Sequence, residues 1–89
     1  MPQRLFLLPL FALVVMFAVP VMGADFQRGW KAFQAGDYVT ALEEFLPLAQ
    51  NGHALAQYNL GVMHREGKGV TKTDSAAVKW WRKASLSGL

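Results

Sequence analysis

Two consecutive stretches of this 89-residue chain, residues 25–50 and 54–88, place small and aromatic residues at corresponding positions. The corresponding pairs are Gly29 with Gly61, Ala41 with Ala77, and Phe45 with Trp81. The first pair is 32 residues apart and the other two are 36 apart, so the second stretch has four additional residues in its turn. A period of this length predicts stacked helical hairpins, each of which buries its apolar face against a neighbour.

Glycine within a helix costs ~1 kcal/mol relative to alanine, so Gly29 and Gly61 predict two close helix contacts. Ala41 and Ala77 are expected to be the small residues that face them, and Phe45 and Trp81, four positions further on, are expected to fill the groove above. We predict four helices, at about residues 25–35, 38–50, 54–66 and 74–87. Pro47 is expected to bend the second helix or to shorten it by about a turn.

The turns are marked by residues that end one helix and begin the next. In the first hairpin Gly36 suits the left-handed position and Asp37 can cap the following helix. In the second, Gly67 and Gly69 allow a tight loop, Val70 is expected to point inward, and Thr73 or Asp74 begins the last helix.

The second stretch resembles the Sel-1-like repeat family, which belongs to the tetratricopeptide-like superfamily. The residues that carry this resemblance are Ala54, Ala56, Gln57, Leu60, Gly61, Gly67, Gly69, Val70, Ala77, Trp80, Lys83, Ala84 and Gly88. Departures are His64 in place of tyrosine, Ser85 in place of alanine and Thr73 in place of an acidic residue. The resemblance implies an all-α fold, a short right-handed α-solenoid of two antiparallel helical hairpins. Residues 24–52 would form the tetratricopeptide-like hairpin and residues 53–89 the Sel-1-like repeat.

The N-terminal segment has the layout of a secretory signal peptide. Arg4 precedes an uncharged run from Leu5 to Ala24, and small residues follow the apolar part. We expect cleavage after Gly23 (residues 1–23) or after Ala24 (residues 1–24), which predicts a periplasmic or secreted protein. The alternative is an uncleaved helix anchored in the inner membrane, because about 20 apolar residues can span a bilayer.

Composition excludes several classes of function. The chain has no cysteine, so it contains no disulfide framework and no cysteine nucleophile. Once the segment with Arg4 is removed, eight Lys and Arg remain against six Asp and Glu. This excess is too small to predict binding of nucleic acid.

No group of residues predicts catalysis, a metal site or a cofactor. His53 and His64 are eleven residues apart, about three helical turns, which separates them by ~16 Å along a helix. Two ligands of one metal ion must lie much closer than that. We therefore expect His64 to pack in place of tyrosine and His53 to lie at the surface.

Glu43 and Glu44 are adjacent and project to different sides of a helix, so they form no facing acid and base. The prediction is a protein that is not an enzyme.

The candidate binding residues are aromatic and basic side chains on the first and third helices. Phe26, Trp30 and Phe33 recur at helical spacing, and the alternative for them is packing in the hairpin's own core. The resemblance implies that such positions line the concave surface of the repeat, where Tyr58, Val62 and Arg65 are their counterparts. Tryptophan, tyrosine and arginine are the residues most enriched in binding hot spots.

Trp80 and Trp81 point in different directions because neighbours on a helix are ~100° apart. Trp81 corresponds to Phe45 and is expected in the core, whereas Trp80 is expected to cover the junction with a following unit. Because no polar capping helix follows, we expect Trp80, Leu86 and Leu89 to be exposed.

Two functional hypotheses follow. The first is an exported, non-enzymatic protein–protein interaction module whose partner is another protein, with the candidate binding residues Phe26, Trp30, Tyr58, Val62, Arg65 and Trp80. The alternative is a structural subunit of the cell envelope that self-associates through its uncapped C-terminal face. Contact with a membrane is expected only if the N-terminal helix is uncleaved.

Overall fold

The computed structural model describes residues 23–89, which contain four α-helices and no β-strand. The helices are α1 (Phe26–Gln34), α2 (Tyr38–Gln50), α3 (Ala54–Glu66) and α4 (Asp74–Leu86). The all-α fold is confirmed, and each predicted helix matches to within one residue at either end. Within residues 23–89 there is no helix with the length and hydropathy needed to cross a membrane. The predicted signal peptide lies outside the described residues, apart from its last position.

Side chains that accept backbone N–H bonds define the start of three helices. The carboxylate of Asp25 accepts from Gln27 N at 2.7 Å, and that of Asp37 accepts from Thr40 N at 3.2 Å. Gly36 precedes Asp37 with φ +81°, the left-handed conformation that was predicted. The third cap is His53, whose Nδ1 accepts from Ala56 N at 3.2 Å. His53 was predicted to be a surface residue, but it is half-buried because it caps α3.

α4 begins differently. Thr73 occupies the cap position, but its side chain makes no capping bond to α4. Its hydroxyl donates instead to Thr71 O at 3.1 Å, and its backbone N–H donates to His64 O at 2.9 Å. The loop is therefore fastened to the end of α3.

Pro47 does not shorten α2. The helix continues for three residues beyond Pro47 and ends at Gln50. Pro47 is exposed on the outer side of the helix.

Successive helices pack against one another, α1 on α2, α2 on α3 and α3 on α4. Because the connections within each pair are short, α1 with α2 and α3 with α4 form two antiparallel hairpins. The buried cluster comes equally from α2 and α3 and contains Ala41, Phe45, Ala49, Ala56, Leu60 and Met63. The two hairpins therefore share one core.

The close approach predicted at the two glycines is confirmed, but the side chains that face them are Phe45 and Trp81 and not Ala41 and Ala77. A Cβ on Gly29 would lie 2.7 Å from Phe45 Cε1, and a Cβ on Gly61 would overlap Trp81 Nε1. Each aromatic ring therefore lies directly on the backbone of the helix it faces. The two hairpins repeat the same contact at corresponding positions.

The α3–α4 loop packs against the first hairpin. Gly69 approaches Tyr38 so closely that a Cβ would lie 2.9 Å from Tyr38 Cβ. Val70 packs against the core cluster, as predicted. Lys68 Nζ lies 5.3 Å from the centre of the Phe33 ring and 5.5 Å from that of Tyr38. The longer turn of the second hairpin thus joins the two units.

Candidate protein-binding surface

The structure divides the six predicted binding residues among three helices. Phe26 and Trp30 lie on α1, Tyr58, Val62 and Arg65 lie on α3, and Trp80 lies on α4. Their environments differ, and three groups can be distinguished.

On α1 the two aromatic residues have different neighbours. Phe26 is half-buried, with its ring stacked on His53 at 5.1 Å and its centre 5.4 Å from that of Phe45. Phe26 therefore contributes to the junction between the hairpins. Trp30 is 38% exposed and stacks on Phe33 with ring centres 5.8 Å apart. Trp30 thus presents one face to solvent while Phe33 supports the other.

On α3 two of the three predicted residues, Tyr58 and Arg65, lie close to Trp81. Tyr58 is 46% exposed, and its ring centre lies 6.4 Å from that of Trp81. The guanidinium of Arg65 lies 6.0 Å from the centre of the same tryptophan ring, within range of a cation–π contact. Val62, one turn before Arg65, is half-buried. We call Tyr58, Arg65 and Trp81 the α3–α4 cluster.

Trp81 holds this cluster in place. Its indole Nε1 donates to the carbonyl oxygen of Tyr58 at 3.2 Å, and its ring lies on Gly61. The sequence predicted Trp81 to be in the core, as Phe45 is, yet Trp81 is only half-buried whereas Phe45 is fully buried. The difference arises because α3 covers the side of α2 that carries Phe45. The signal that could have identified Trp81 is its residue type, because tryptophan is enriched in binding hot spots.

Trp80 differs from its prediction. It was expected to face outward at the end of the repeat, but it is half-buried and packs against the core cluster. Lys83 Nζ lies 4.8 Å from the centre of its ring. Leu86 and Leu89 are exposed, as predicted, at 84% and 55%.

An ion-pair network fastens α1 to α2 at the other end of the molecule. Arg28 Nε donates to Glu44 Oε2 at 3.1 Å, and the backbone N–H of Asp25 donates to Glu44 Oε1 at 2.9 Å. The hydrogen bond from Arg28 is the main reason that the pKa of Glu44 lies below its ordinary value, with the bond from Asp25 N–H second. Glu44 is therefore held as a carboxylate by structural partners, which makes it unsuitable as a general acid.

The described residues contain no group of three side chains arranged to bind a metal ion. His53 is occupied as a helix cap. His64 has a buried Nδ1 without a hydrogen-bond partner in residues 23–89, and its backbone carbonyl anchors the α3–α4 loop.

Comparison with known proteins agrees with this architecture. Residues 54–89 match the family described as Sel1 repeat. A curated relative from Rhizobium leguminosarum bv. viciae, named "Exopolysaccharide production negative regulator", is 31% identical over 64 residues. That match covers 72% of this chain but only 24% of the relative's length. No solved structure matches the chain.

Sel1 repeats are protein–protein interaction modules. The matched residues 54–89 comprise α3, the glycine-containing loop, α4 and the turn that follows it. The family match and the four-helix fold lead to one conclusion: the chain belongs to the Sel1 repeat family.

Proposed function

We propose that this chain is an exported, non-enzymatic adaptor that binds another protein through the exposed side chains of α1 and α3. The observation that carries the proposal is the α3–α4 cluster. Tyr58 and Arg65 are exposed, and the Tyr58 ring and the Arg65 guanidinium lie 6.4 Å and 6.0 Å from the centre of the Trp81 ring. Aromatic and arginine side chains of this kind supply most of the binding energy at protein interfaces.

Two contacts of Trp81 support a cluster whose central ring is oriented before any partner binds. The bond from Trp81 Nε1 to Tyr58 O fixes the orientation of the indole, and the contact with Gly61 fixes its depth. Ordering a flexible side chain at an interface costs ~0.5–1.5 kcal/mol, so a pre-ordered cluster loses less free energy on binding. Trp30, supported by Phe33, would provide a second anchor on α1.

Photocrosslinking in cells tests this function. A photoreactive residue at Trp30 or Tyr58 should capture the same protein, because both positions would lie in one interface. The matched control is Val39, which is 65% exposed on α2 and lies outside the proposed surface. Equal capture from Val39, or different proteins from the two test positions, would contradict the proposal.

With the captured partner purified, the energetic contribution can be measured directly. We expect Tyr58→Ala to weaken binding by at least ~2 kcal/mol, about 30-fold, as for a hot-spot residue. Val39→Ala should leave the affinity unchanged. Isothermal titration calorimetry with both variants would measure the difference.

Export is the second part of the proposal. It is supported by the apolar run after Arg4 and by the position of the first cap. Asp25 is retained whether cleavage follows Gly23 or Ala24, so removal of the leader would leave α1 capped. Mass spectrometry of the protein from the periplasmic fraction should find an N-terminus at Ala24 or Asp25. An intact N-terminus in the membrane fraction would support the anchored alternative instead.

Self-association remains the alternative function, and the exposure of Leu86 and Leu89 is the observation that favours it. A symmetric contact between two copies would cover both leucines. Sedimentation velocity at micromolar concentration distinguishes the two hypotheses. A strict monomer would eliminate the structural-subunit hypothesis, whereas a dimer sensitive to Leu86→Lys would favour it.

The named relative supports a more specific proposal about process. Its name describes a negative regulator of exopolysaccharide production, so we propose that this chain restrains exopolysaccharide production in its own cell. Deleting the gene should then raise the amount of exopolysaccharide in the medium. Re-expression of the Tyr58→Ala variant should fail to restore the original level if the cluster binds the relevant partner.

A further inference from the structure

The start of α1 is held against α2 by a carboxylate that accepts a backbone nitrogen. Glu44 Oε1 accepts from Asp25 N at 2.9 Å. The same carboxylate accepts from Arg28 Nε at 3.1 Å and from Arg28 Nη2 at 3.3 Å. Only 17% of the Glu44 side chain is exposed, so these contacts are screened less than those between fully exposed charges. The Asp25 nitrogen thus lies where a positive charge would be stabilised.

The side chains around this nitrogen carry an excess of negative charge. Asp25 and Glu44 contribute two carboxylates, and Arg28 contributes one guanidinium that contacts both. The backbone N–H of Arg28 holds the pKa of Asp25 below its ordinary value, and the guanidinium does the same for the pKa of Glu44. Both carboxyls are therefore ionised at neutral pH, and two negative charges with one positive charge leave a net charge of −1.

Neither the adjoining cleft nor the helix compensates for this charge. An open cleft of about 400 Å³ next to the ion pair is bounded by Gly23, Ala24, Arg28, Glu43, Glu44 and Pro47. Among these residues the only further charge is that of Glu43, another carboxylate. The macrodipole places roughly +0.5 of an elementary charge at the start of a helix, which is less than the excess. An ammonium at the Asp25 nitrogen would supply the missing positive charge.

The peptide bond before Asp25 is one of the two positions at which we expect the leader to be removed. Gly23 and Ala24 are exposed, and the backbone at Asp25 is extended, with φ −137° and ψ 120°. Hydrolysis of the Ala24–Asp25 bond adds the hydroxyl of water to the Ala24 carbonyl carbon and its proton to the Asp25 nitrogen. The carboxylic acid of Ala24 then gives up its proton, and the Asp25 amine takes up a proton at neutral pH to become an ammonium. The nitrogen that already contacts Glu44 gains a full positive charge.

Hydrolysis after Gly23 has a different result. The ammonium is then on Ala24, an exposed residue, and the Asp25 nitrogen remains an uncharged amide. The bond that Arg28 Nη2 donates to Gly23 O is lost in both cases. Only cleavage after Ala24 therefore places the new charge on the atom that lies 2.9 Å from Glu44 Oε1.

We propose that the mature chain begins at Asp25 and that Glu44 binds its α-ammonium, which fastens the processed N-terminus to α2. This inference rests on the proposed export and goes beyond it by naming the site that receives the new N-terminus. An ammonium in place of the amide adds a charge–charge attraction to the existing hydrogen bond, so removal of the leader strengthens the contact between α1 and α2. The cap of α1 is retained, because the Asp25 side chain still accepts from Gln27 N and Arg28 N.

The position of the N-terminus is the first test. The full chain, expressed with its own leader and recovered from the periplasm, should have the mass of residues 25–89. The mass of residues 24–89 would overturn the proposal and leave export in place. A full-length chain in the membrane fraction would overturn both.

Acetylation of the N-terminus tests the ion pair through the sign of its effect. In synthetic residues 25–89 the acetyl group removes the terminal charge and leaves an N–H on Asp25. At the start of a helix an uncharged N-terminus is ordinarily the more stable one, because the dipole opposes a positive charge. We expect the reverse here: acetylation should raise the equilibrium constant of unfolding by at least ~2-fold, as for the loss of a partly exposed ion pair. Urea denaturation measures this constant.

Two substitutions assign the effect to one carboxylate. Glu44→Gln keeps a carbonyl acceptor for the Asp25 nitrogen but removes the charge, so acetylation of this variant should lower the equilibrium constant of unfolding. Glu43→Gln is the matched control at the exposed neighbouring position, and acetylation should still destabilise it. Because the pair raises the pKa of the α-amino group, its stabilisation is present below the ordinary value and is lost as pH rises through the folded pKa. Acetylation of the parent should therefore have little effect at about pH 10.

Acetylation that stabilises the parent and Glu44→Gln equally would show that Glu44 does not bind the ammonium. NMR titration of the protein recovered from the periplasm gives a second answer without unfolding. The pKa of its α-amino group should lie above the ordinary value and should fall in Glu44→Gln, and a pKa that this substitution leaves unchanged would also overturn the proposal. Crosslinking at Trp30 and Tyr58 does not depend on this ion pair, so the adaptor function is tested separately.

Discussion

At the scale of single residues, two glycines within helices set how closely the paired helices approach. Alanine ordinarily stabilises a helix by ~1 kcal/mol relative to glycine. At Gly29 and Gly61 that preference is outweighed, because a Cβ would overlap the ring of Phe45 or Trp81. Whether a glycine-to-alanine substitution raises or lowers the free energy of unfolding therefore shows whether the aromatic ring packs on that glycine.

We expect Gly61→Ala to lower the free energy of unfolding by ~1–3 kcal/mol, since the overpacked indole must move and loses its bond to Tyr58 O. In a Trp81→Ala background the same substitution should instead raise it by ~1 kcal/mol, because only helix propensity remains. Urea denaturation of the four proteins measures this cycle. A destabilising effect of equal size in both backgrounds would show that Trp81 is not the cause.

The Arg28–Glu44 pair predicts a dependence of stability on pH. Because the pKa of Glu44 is lowered in the folded state, its contribution is present above its ordinary value of 4.5 and is lost as pH falls through the folded pKa. Glu44→Gln should therefore be less stable than the parent at pH 7, and the difference should shrink at pH 3. Glu43→Gln, at an exposed neighbouring position, is the control. Thermal melts at both pH values measure the difference, and a gap that widened on acidification would contradict it.

At the scale of elements, the α3–α4 loop acts as a connection between the hairpins. Gly69 and Gly36 both have positive φ, at 75° and 81°, but only Gly69 lies against another element. Comparing the stability lost on substitution at these two glycines therefore separates the cost of backbone strain from the cost of a lost tertiary contact.

We expect Gly36→Ala to cost ~1–2 kcal/mol, the penalty for a left-handed L-residue. Gly69→Ala should cost at least ~1 kcal/mol more, because its Cβ would also overlap Tyr38. Chemical denaturation of both variants gives the comparison. An equal decrease in the free energy of unfolding for both variants would mean that close packing of the loop on α2 does not contribute to stability.

At the scale of the whole molecule, the two hairpins share a single cluster that draws equally on α2 and α3. One repeat cannot bury its apolar face alone. A chain of fewer than ~40 residues rarely folds without disulfides, a bound metal or oligomerisation. The part that matches the family, residues 54–89, is such a unit.

We therefore expect a fragment of residues 54–89 to be largely unfolded, whereas residues 24–89 melt cooperatively as one unit. Circular dichroism against temperature measures both, with residues 24–53 as the complementary fragment. A cooperative transition in the 54–89 fragment would show that the second hairpin is independent of the first.

The sequence by itself determined the number of helices, their ends and the close approach of paired helices at the two glycines. Helix ends depend on signals within a few residues, such as Gly36 followed by Asp37, and these act locally. The close approach was predictable because the repeat shows it twice, whereas the facing side chains are Phe45 and Trp81 in place of the predicted Ala41 and Ala77. Pro47 was predicted to bend or shorten α2, and the helix is not shortened, since it continues to Gln50.

Only the tertiary structure decided how the aromatic residues are shared between core and surface. Trp81 is half-exposed and belongs to the α3–α4 cluster, Trp80 packs on the core, and His53 caps α3 beneath Phe26. These outcomes depend on which helix covers which face. Helical periodicity specifies the direction of a side chain around its own axis, whereas burial depends on the neighbouring helix that packs there.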